Sequence, residues 1–406
     1  MRARTIASIA LIGAVFFLAE VAILRHFAVV LPEHQNQQQP AISVIERVGD
    51  EQLPWFAWNP AGVVALEQAL FRQQEYLRQC EHSGKRFVFA GEVLTAERIR
   101  ASARIFLDIV RTSSDAGDFN KRIRARFDVY QPAGSDQFES VMATGYYTPC
   151  YEGSFTQTDR YRYPLYIVPP DLRVADLGEF LPSLRGERLV YRIDDEHQRI
   201  IPYYSRRDIA EGEVLRGKNL ELLYLENELD CFLLMLEGSG KIRLQDGTEL
   251  YVAWAGDNGR TFRSVQQMLI TDGHLSPSEL NQRGLSQFFH ENPRAISRYL
   301  YANERYIFFE RQQEGPRGAG DVILTPMHSV ALDLDIFPLG VLVYLSPMDT
   351  SSGPNGSSGL FLLCQDTGVL INGTTRADVY FGAGQAAQEL AEQYRRECLL
   401  HILLLR

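Results

Sequence analysis

Asp366 and Asp378 share one glycine-punctuated stretch with Thr367, Gly368, Ile371, Gly373, Arg376, Tyr380 and Gly382, just after a hydrophobic run. A carboxyl can hand a proton to a departing oxygen and later take one back, provided its surroundings tune its affinity for that proton. Glycines let the backbone turn sharply or approach a ligand closely, and a strand end is a rigid mount for an acid. The spacing alone leaves two readings open: an acid–base site, or a tight loop in which both aspartates only accept backbone N–H bonds. Asp366-Thr367-Gly368 also spells the triplet of aspartic proteases, in which two carboxylates share one proton. A single chain needs a second such triplet, and this one has none, so that chemistry would require a symmetric dimer.

Other chemistry-bearing residues are dispersed. Cys80, Cys150, Cys231, Cys364 and Cys398 form no C-x-x-C pair and are odd in number, so no disulfide framework is expected. The eight histidines show no i, i+4 pair and no H-E-x-x-H setting, so no metal, no Ser-His nucleophile and no cofactor is expected. With 45% hydrophobic residues the chain is not disordered, and a net charge of -10 excludes general affinity for nucleic acid. A local patch such as Arg260 with Arg263 still offers positive charge to an anionic ligand.

At 406 residues the chain should divide into two domains. Leu66, Leu70, Tyr76 and Leu77 make one apolar stripe of a helix over Val64 to Leu77, and a second helix is expected over Ala96 to Val110. Short β-branched and aromatic runs then predict strands over Gln137 to Tyr147, Tyr163 to Val168, Leu189 to Ile193, Leu244 to Ala253, Tyr306 to Phe309, near Leu324, Val341 to Leu345 and Leu360 to Gln365. Two helices should interrupt this β-rich part, one announced by the capping box of Ser276, Pro277 and Glu279, the other by Asn292-Pro293. The Gly/Ser-rich segment Ser351 to Gly359 reads as a hairpin loop, and a helix over Gln385 to Arg396 with a strand over Leu399 to Leu405 closes the chain.

At the N-terminus, Arg2 and Arg4 precede a largely apolar run from Ile6 to Leu24, and a polar tail runs on to Pro40. A bilayer takes about 20 residues to cross, and the positive flank favours a cytoplasmic start. Residues 1–40 are therefore expected to be a membrane anchor or a cleavable signal with its linker, and Glu20 fits the second better than the first. Everything after Pro40 should then lie outside the cytoplasm.

The motifs together resemble the MltA-type lytic transglycosylases, whose C-terminal module is called the 3D domain after three aspartates. Asp366 to Gly382 follows that family's D-x-G-x-x-I-x-G-x-x-R-A-D-x-Y-x-G pattern, with Asp333 as the remaining aspartate. Upstream, Thr144-Gly145-Tyr146-Tyr147-Thr148-Pro149 is similar to the family's T-G-Y-Y-T-P, Glu237-Gly238-Ser239-Gly240 to its Q-G-S-G, and Gly256 to Ser264 to its G-x-N-G-x-x-Y-R-S. Several islands in the right order are far more specific than any one of them.

The resemblance implies a mainly β protein with flanking helices: a double-psi β-barrel from residues 41–150 and 311–406, interrupted by an inserted β domain, 151–310, that lines a glycan groove. It further implies a peptidoglycan-cleaving lyase of the bacterial cell envelope, on the periplasmic side, with Asp378 as catalytic acid and its neighbour Asp366 as a second catalytic residue. Thr144 would orient Asp378, and Tyr146, Tyr147, Glu237, Gly238, Ser239, Asn258 and Arg263 would bind the glycan strand. Asp333 is expected to hold a loop. The chain departs from the family in having Glu237 for Gln, and Val369 and Asn372 where Gly and Lys are usual. Two other classes stay open at this point: a membrane-tethered glycan-binding module without activity, and an inverting hydrolase, which needs a second carboxylate about 6.5–9.5 Å away.

Overall fold

The computed structural model describes residues 45–132, 140–194, 196–276, 282–348, 359–368 and 371–406. The described chain falls into two compact units, one of Pro149–Glu314 and the other of residues 45–148 together with Gly315–Arg406. The N-terminal apolar run lies outside the described residues, and so do Pro277 and Glu279 of the expected capping box.

The discontinuous unit begins with strand β1 (Ile45–Arg47), helix α1 (Val63–His82), the hairpin β2–β3 (Arg86–Phe89, Glu92–Thr95), helices α2 (Ala96–Thr112) and α3 (Ala116–Arg126), and strands β4 (Phe127–Pro132) and β5 (Val141–Thr148). Helices α1 and α2 form where the sequence predicts them, and α3 is an addition to that expectation. Leu66, Ala69, Leu70, Gln73, Leu77 and Cys80 make the buried stripe of α1. Thr95 and Asp115 cap α2 and α3 by accepting backbone N–H bonds from Arg98 and Asp118.

The inserted unit runs through β6 (Cys150–Ser154), β7 (Tyr163–Tyr166), β8 (Arg173–Asp176), β9 (Arg188–Asp194) and β10 (Arg199–Pro202) to the short helix α4 (Arg206–Ala210). It continues with β11 (Glu221–Leu225), α5 (Glu228–Glu237), β12 (Ser239–Leu244), β13 (Glu249–Asp257), α6 (Val265–Thr271), α7 (Gln282–Glu291), α8 (Ile296–Leu300) and β14 (Ile307–Gln312). Six strands make one sheet in the order β14-β13-β12-β6-β11-β7, and β10-β9-β8 make a second. The single strand expected from Leu244 to Ala253 is instead the turn and second arm of a hairpin. Asp246-Gly247 supplies the bend, with Gly247 at φ +82°, a region that glycine enters without strain. Pro293 opens only a single 3₁₀ turn ahead of α8.

The chain returns through β15 (Ser329–Ala331), β16 (Leu342–Pro347), β17 (Leu360–Asp366), β18 (Arg376–Ala383), helix α9 (Gln385–Gln393) and β19 (Arg395–Leu405). No strand forms at Leu324, where Pro316 and Pro326 flank an isolated Arg317–Ile323 bridge; proline cannot donate to a ladder. Helix α9 stops before the expected Arg396 because Arg395 to Cys398 are already paired with β5. Strand pairing runs β19-β16-β17-β15-β18-β5 and back to β19, a closed six-stranded ring of the double-psi type, with helices around it and β4 and β1 extending from β19. Closure leaves those six strands no free edge.

Alternate residues of these strands enter two different cores. Ala143, Val330, Val343, Leu362, Cys364, Ala377, Val379 and Ile402, drawn from all six ring strands, fill the barrel. Leu342, Tyr344, Leu363 and Leu403 face outward onto Phe106 and Phe119 of the helices. Because Ala143, Ala377 and Val379 point inward, Thr144, Asp378, Tyr146 and Tyr380 point out.

Candidate active site

Strand β18 lies between β5 and β15, and its register sets Asp378 opposite Thr144 on one side and opposite Ala331 on the other. The Thr144 hydroxyl donates to Asp378 Oδ1, and Arg376 Nε approaches the same oxygen at 3.4 Å. Oδ2 has no partner among the described residues, and 18% of the side chain remains exposed. One oxygen is thus fixed and the other left open, which suits a carboxyl that must trade a proton with a bound molecule.

Asp366 reaches the same face by a different route. Along β17, Leu363 and Gln365 face the helices while Leu362 and Cys364 face the barrel, so plain alternation would turn Asp366 inward. The pairing with β15 slips at that point. Val330 is opposite Cys364 but Ala331 is opposite Asp366, leaving Gln365 as the extra residue of a β-bulge. Asp366 and Asp378 therefore flank Ala331 from either side, about 10 Å apart along the backbone at two strand spacings.

The Asp366 carboxylate is fully engaged. Oδ2 accepts the Tyr146 hydroxyl at 2.9 Å, and Oδ1 accepts the backbone N–H groups of Thr367 at 2.9 Å and Ala319 at 3.3 Å. Burial, and then the negative charge of Asp366, push the Tyr146 phenol well above its ordinary pKa, so it remains a donor. Asp366, expected as a second catalytic group, thus meets protein donors on both oxygens. With both oxygens held by protein donors, it anchors the loop and Tyr146.

Two residues that hold this arrangement carry no motif. Gln365, fully buried, accepts from Ser329 Oγ and donates to Ala69 O at 3.0 Å and Gln73 Oε1 at 2.9 Å. Gln365→Leu strands those buried partners at about 1–3 kcal/mol each. The expected loss is roughly 3 kcal/mol by urea unfolding, with Asp366 freed to realign. Gly318 lies where a Cβ would stand 2.5 Å from Gln365 O, 2.7 Å from Leu324 Cδ2 and 3.0 Å from Asp366 Cγ. Gly318→Ala should cost about 1–3 kcal/mol through overpacking, measured by urea unfolding, with the strain falling on Gln365 and Leu324 first and on Asp366 next.

Comparison with known proteins follows the same segments. Residues 142–310 match the model of the MltA specific insert domain, and residues 328–404 match that of the 3D domain, more than half of the chain together. The chain belongs to the MltA family. It is 29% identical over 284 residues to membrane-bound lytic murein transglycosylase A of Escherichia coli strain K12, covering 68% of this chain and 69% of that one. Crystal structures of MltA share the fold. MltA from Neisseria gonorrhoeae superposes with a TM-score of 0.68 at 22% identity, over 88% of this chain and 90% of that one. E. coli MltA with bound chitohexaose gives 0.60 at 20% identity, over 88% and 93%.

Other residues that the MltA-family pattern singles out prove to have varied surroundings. Tyr147 lies on the opposite face of β5 from Thr144 and Tyr146, so only Tyr146 shares the acid's face. Asp333 holds a loop, as expected, accepting the N–H groups of Asp335 at 3.0 Å and Gly373 at 2.6 Å. In the inserted unit, Glu237 is exposed at the end of α5, and Gly238, at φ +74°, spends its N–H on Leu234 O to terminate that helix. Gly238 is therefore no free donor, and Ser239, half-buried at the start of β12, is the part of the island left open.

Asn258, expected to touch substrate, is completely buried. Its amide donates to the carbonyls of Tyr204 and Glu304, both at 2.9 Å, and accepts from Tyr306 N at 2.9 Å and Arg260 N at 3.3 Å. It ties loops together and has no capacity left for a ligand. Arg263 is the reverse, exposed and without an ion pair among the described residues. Of the positions where the chain departs from MltA-family usage, Val369 lies outside the described residues.

Proposed function

We propose that this protein is a peptidoglycan lytic transglycosylase that cleaves the β-1,4 bond between MurNAc and GlcNAc and closes a 1,6-anhydro-MurNAc end. The observation that carries this reading is the asymmetric hold on Asp378, with Oδ1 fixed by Thr144 and Oδ2 open. Protonated Asp378 gives its proton to the glycosidic oxygen as the bond from C1 breaks. The resulting carboxylate then takes the proton of the same sugar's C6 hydroxyl as O6 bonds to C1. No water is consumed, so one carboxyl working first as acid and then as base suffices.

An inverting hydrolase needs a second carboxylate free to activate water, and Asp366 is committed to Tyr146 and two backbone N–H groups. In this reading Asp366 and Thr144 position the acid. Tyr146 contributes on the acid's face, while Ser239, Glu237 and Arg263 are the groups of the inserted unit open to a glycan or its attached carboxylates. The apolar run Ile6 to Leu24 supports tethering or export to the periplasmic side of the cell envelope.

The test is digestion of purified sacculi with mass spectrometry of the released muropeptides. Products ending in 1,6-anhydro-MurNAc are expected. Reducing ends would replace this reading with a hydrolase, and binding without release would replace it with a glycan-binding module.

A further inference from the structure

The inserted unit contains a cavity of 280 Å³ that none of the residues assigned above lines. Among its lining groups is the guanidinium of Arg206, only 5% exposed. Three of its five donors are used: Nε on Asn303 O at 3.0 Å, one terminal nitrogen on Arg305 O and the other on Met235 Sδ at 3.2 Å. The rings of Phe232 and Tyr306 lie 4.9 and 5.4 Å from it. Burial lowers its pKa to about 10, so it is still a cation at neutral pH. None of its hydrogen bonds reaches a carboxylate among the described residues, and two N–H groups remain. A buried cation in this state is costly unless an anion completes it.

The rest of the lining is mixed in charge: Glu213 is paired with Arg216 at 2.6 Å, Arg162 lies against Tyr163, and Glu221 and Glu228 supply two further carboxyls. The Glu228 carboxyl is pushed upward by burial, with the Tyr301 hydroxyl and the through-space charge of Arg206 acting the other way. Glu221, at the start of β11, makes no ion pair among the described residues. Tyr163, Tyr166, Tyr224, Tyr301 and Tyr306 also line it, and tyrosine faces attract an ammonium group. The volume is at the small end of ligand pockets, which run from about 300 to 1,000 Å³.

We propose that this cavity is a second ligand site that takes a small zwitterion of the amino-acid type, up to the size of a dipeptide. The carboxylate would sit on the spare N–H groups of Arg206, and the ammonium between Glu221, Glu228 and the tyrosine rings. The assignment goes beyond glycan cleavage and rests on the lining alone.

Calorimetric titration of the whole protein with alanyl-alanine, in its L,L and D,D forms, tests it beside the N-acetylated and C-amidated dipeptides. Saturable binding of either free form is expected, with each blocked version at least about tenfold weaker. Because Arg206 variants risk the fold, Glu221→Gln is the companion: it should weaken the free dipeptide and leave the N-acetylated one unchanged. Equal binding of free and blocked forms, or no saturable binding in the millimolar range, would overturn the proposal. The readout involves no turnover, so a failure in sacculus digestion and a failure here are separate results.

Discussion

Asp378→Asn should reduce release of muropeptides from sacculi by at least about a thousandfold, since general acid–base catalysis contributes roughly 10²–10⁴-fold and the proposed mechanism gives both proton transfers to this one group. Asparagine keeps the shape of the side chain and an oxygen to accept the Thr144 hydroxyl, so the register of β18 against β5 is undisturbed. What it lacks is a proton to give at Oδ2. The melting temperature should stay within a few degrees of the parent, which separates lost chemistry from lost structure. Retention of more than about a tenth of the activity would remove Asp378 as the acid and direct attention to another group.

Acid should weaken the barrel unit through His401. This histidine is 3% exposed, on β19 opposite Tyr344, with Nδ1 lacking a hydrogen-bond partner among the described residues, and burial lowers its pKa to about 4. The unfolded chain binds a proton there below about pH 6.5 while the folded chain resists until about pH 4. Stability is therefore unaffected above pH 6.5 and falls as pH drops from 6.5 to 4, by roughly 3 kcal/mol over the full interval. His401→Leu removes the titration. Between pH 7.5 and pH 4.5 the parent should lose about 2–3 kcal/mol more than this variant by urea unfolding. Equal losses would show that other groups carry the acid response.

The pair that matters most was readable as a motif. Thr144 and Asp378 belong to two quoted islands, and their parallel register puts one beside the other. The helices were readable because α1 and α2 repeat their apolar residues at helical spacing. What escaped depends on partners far along the chain. Nothing local marks Gln365 as a bulge, since the slip exists only relative to β15. The early end of α9 follows from pairing of Arg395 to Cys398 with β5. Asn258 was visible as a motif position, yet its role is decided by the carbonyls of Tyr204 and Glu304. The hairpin at Asp246-Gly247 is the exception, a local turn signal that should have divided the expected strand.

Thr144 and Asp378 are hydrogen-bonded across a sequence separation of 234 residues, on strands that enter the barrel before and after the whole inserted unit. Contacts of such range are slow to form, because the loop between them must be closed before any stabilisation is returned. A chain clipped after the inserted unit holds Thr144 without Asp378, so under the proposed mechanism such a fragment is inactive by connectivity alone. Activity should appear during refolding only after closure of β18 onto β5, later than the burial of the inserted unit's own core.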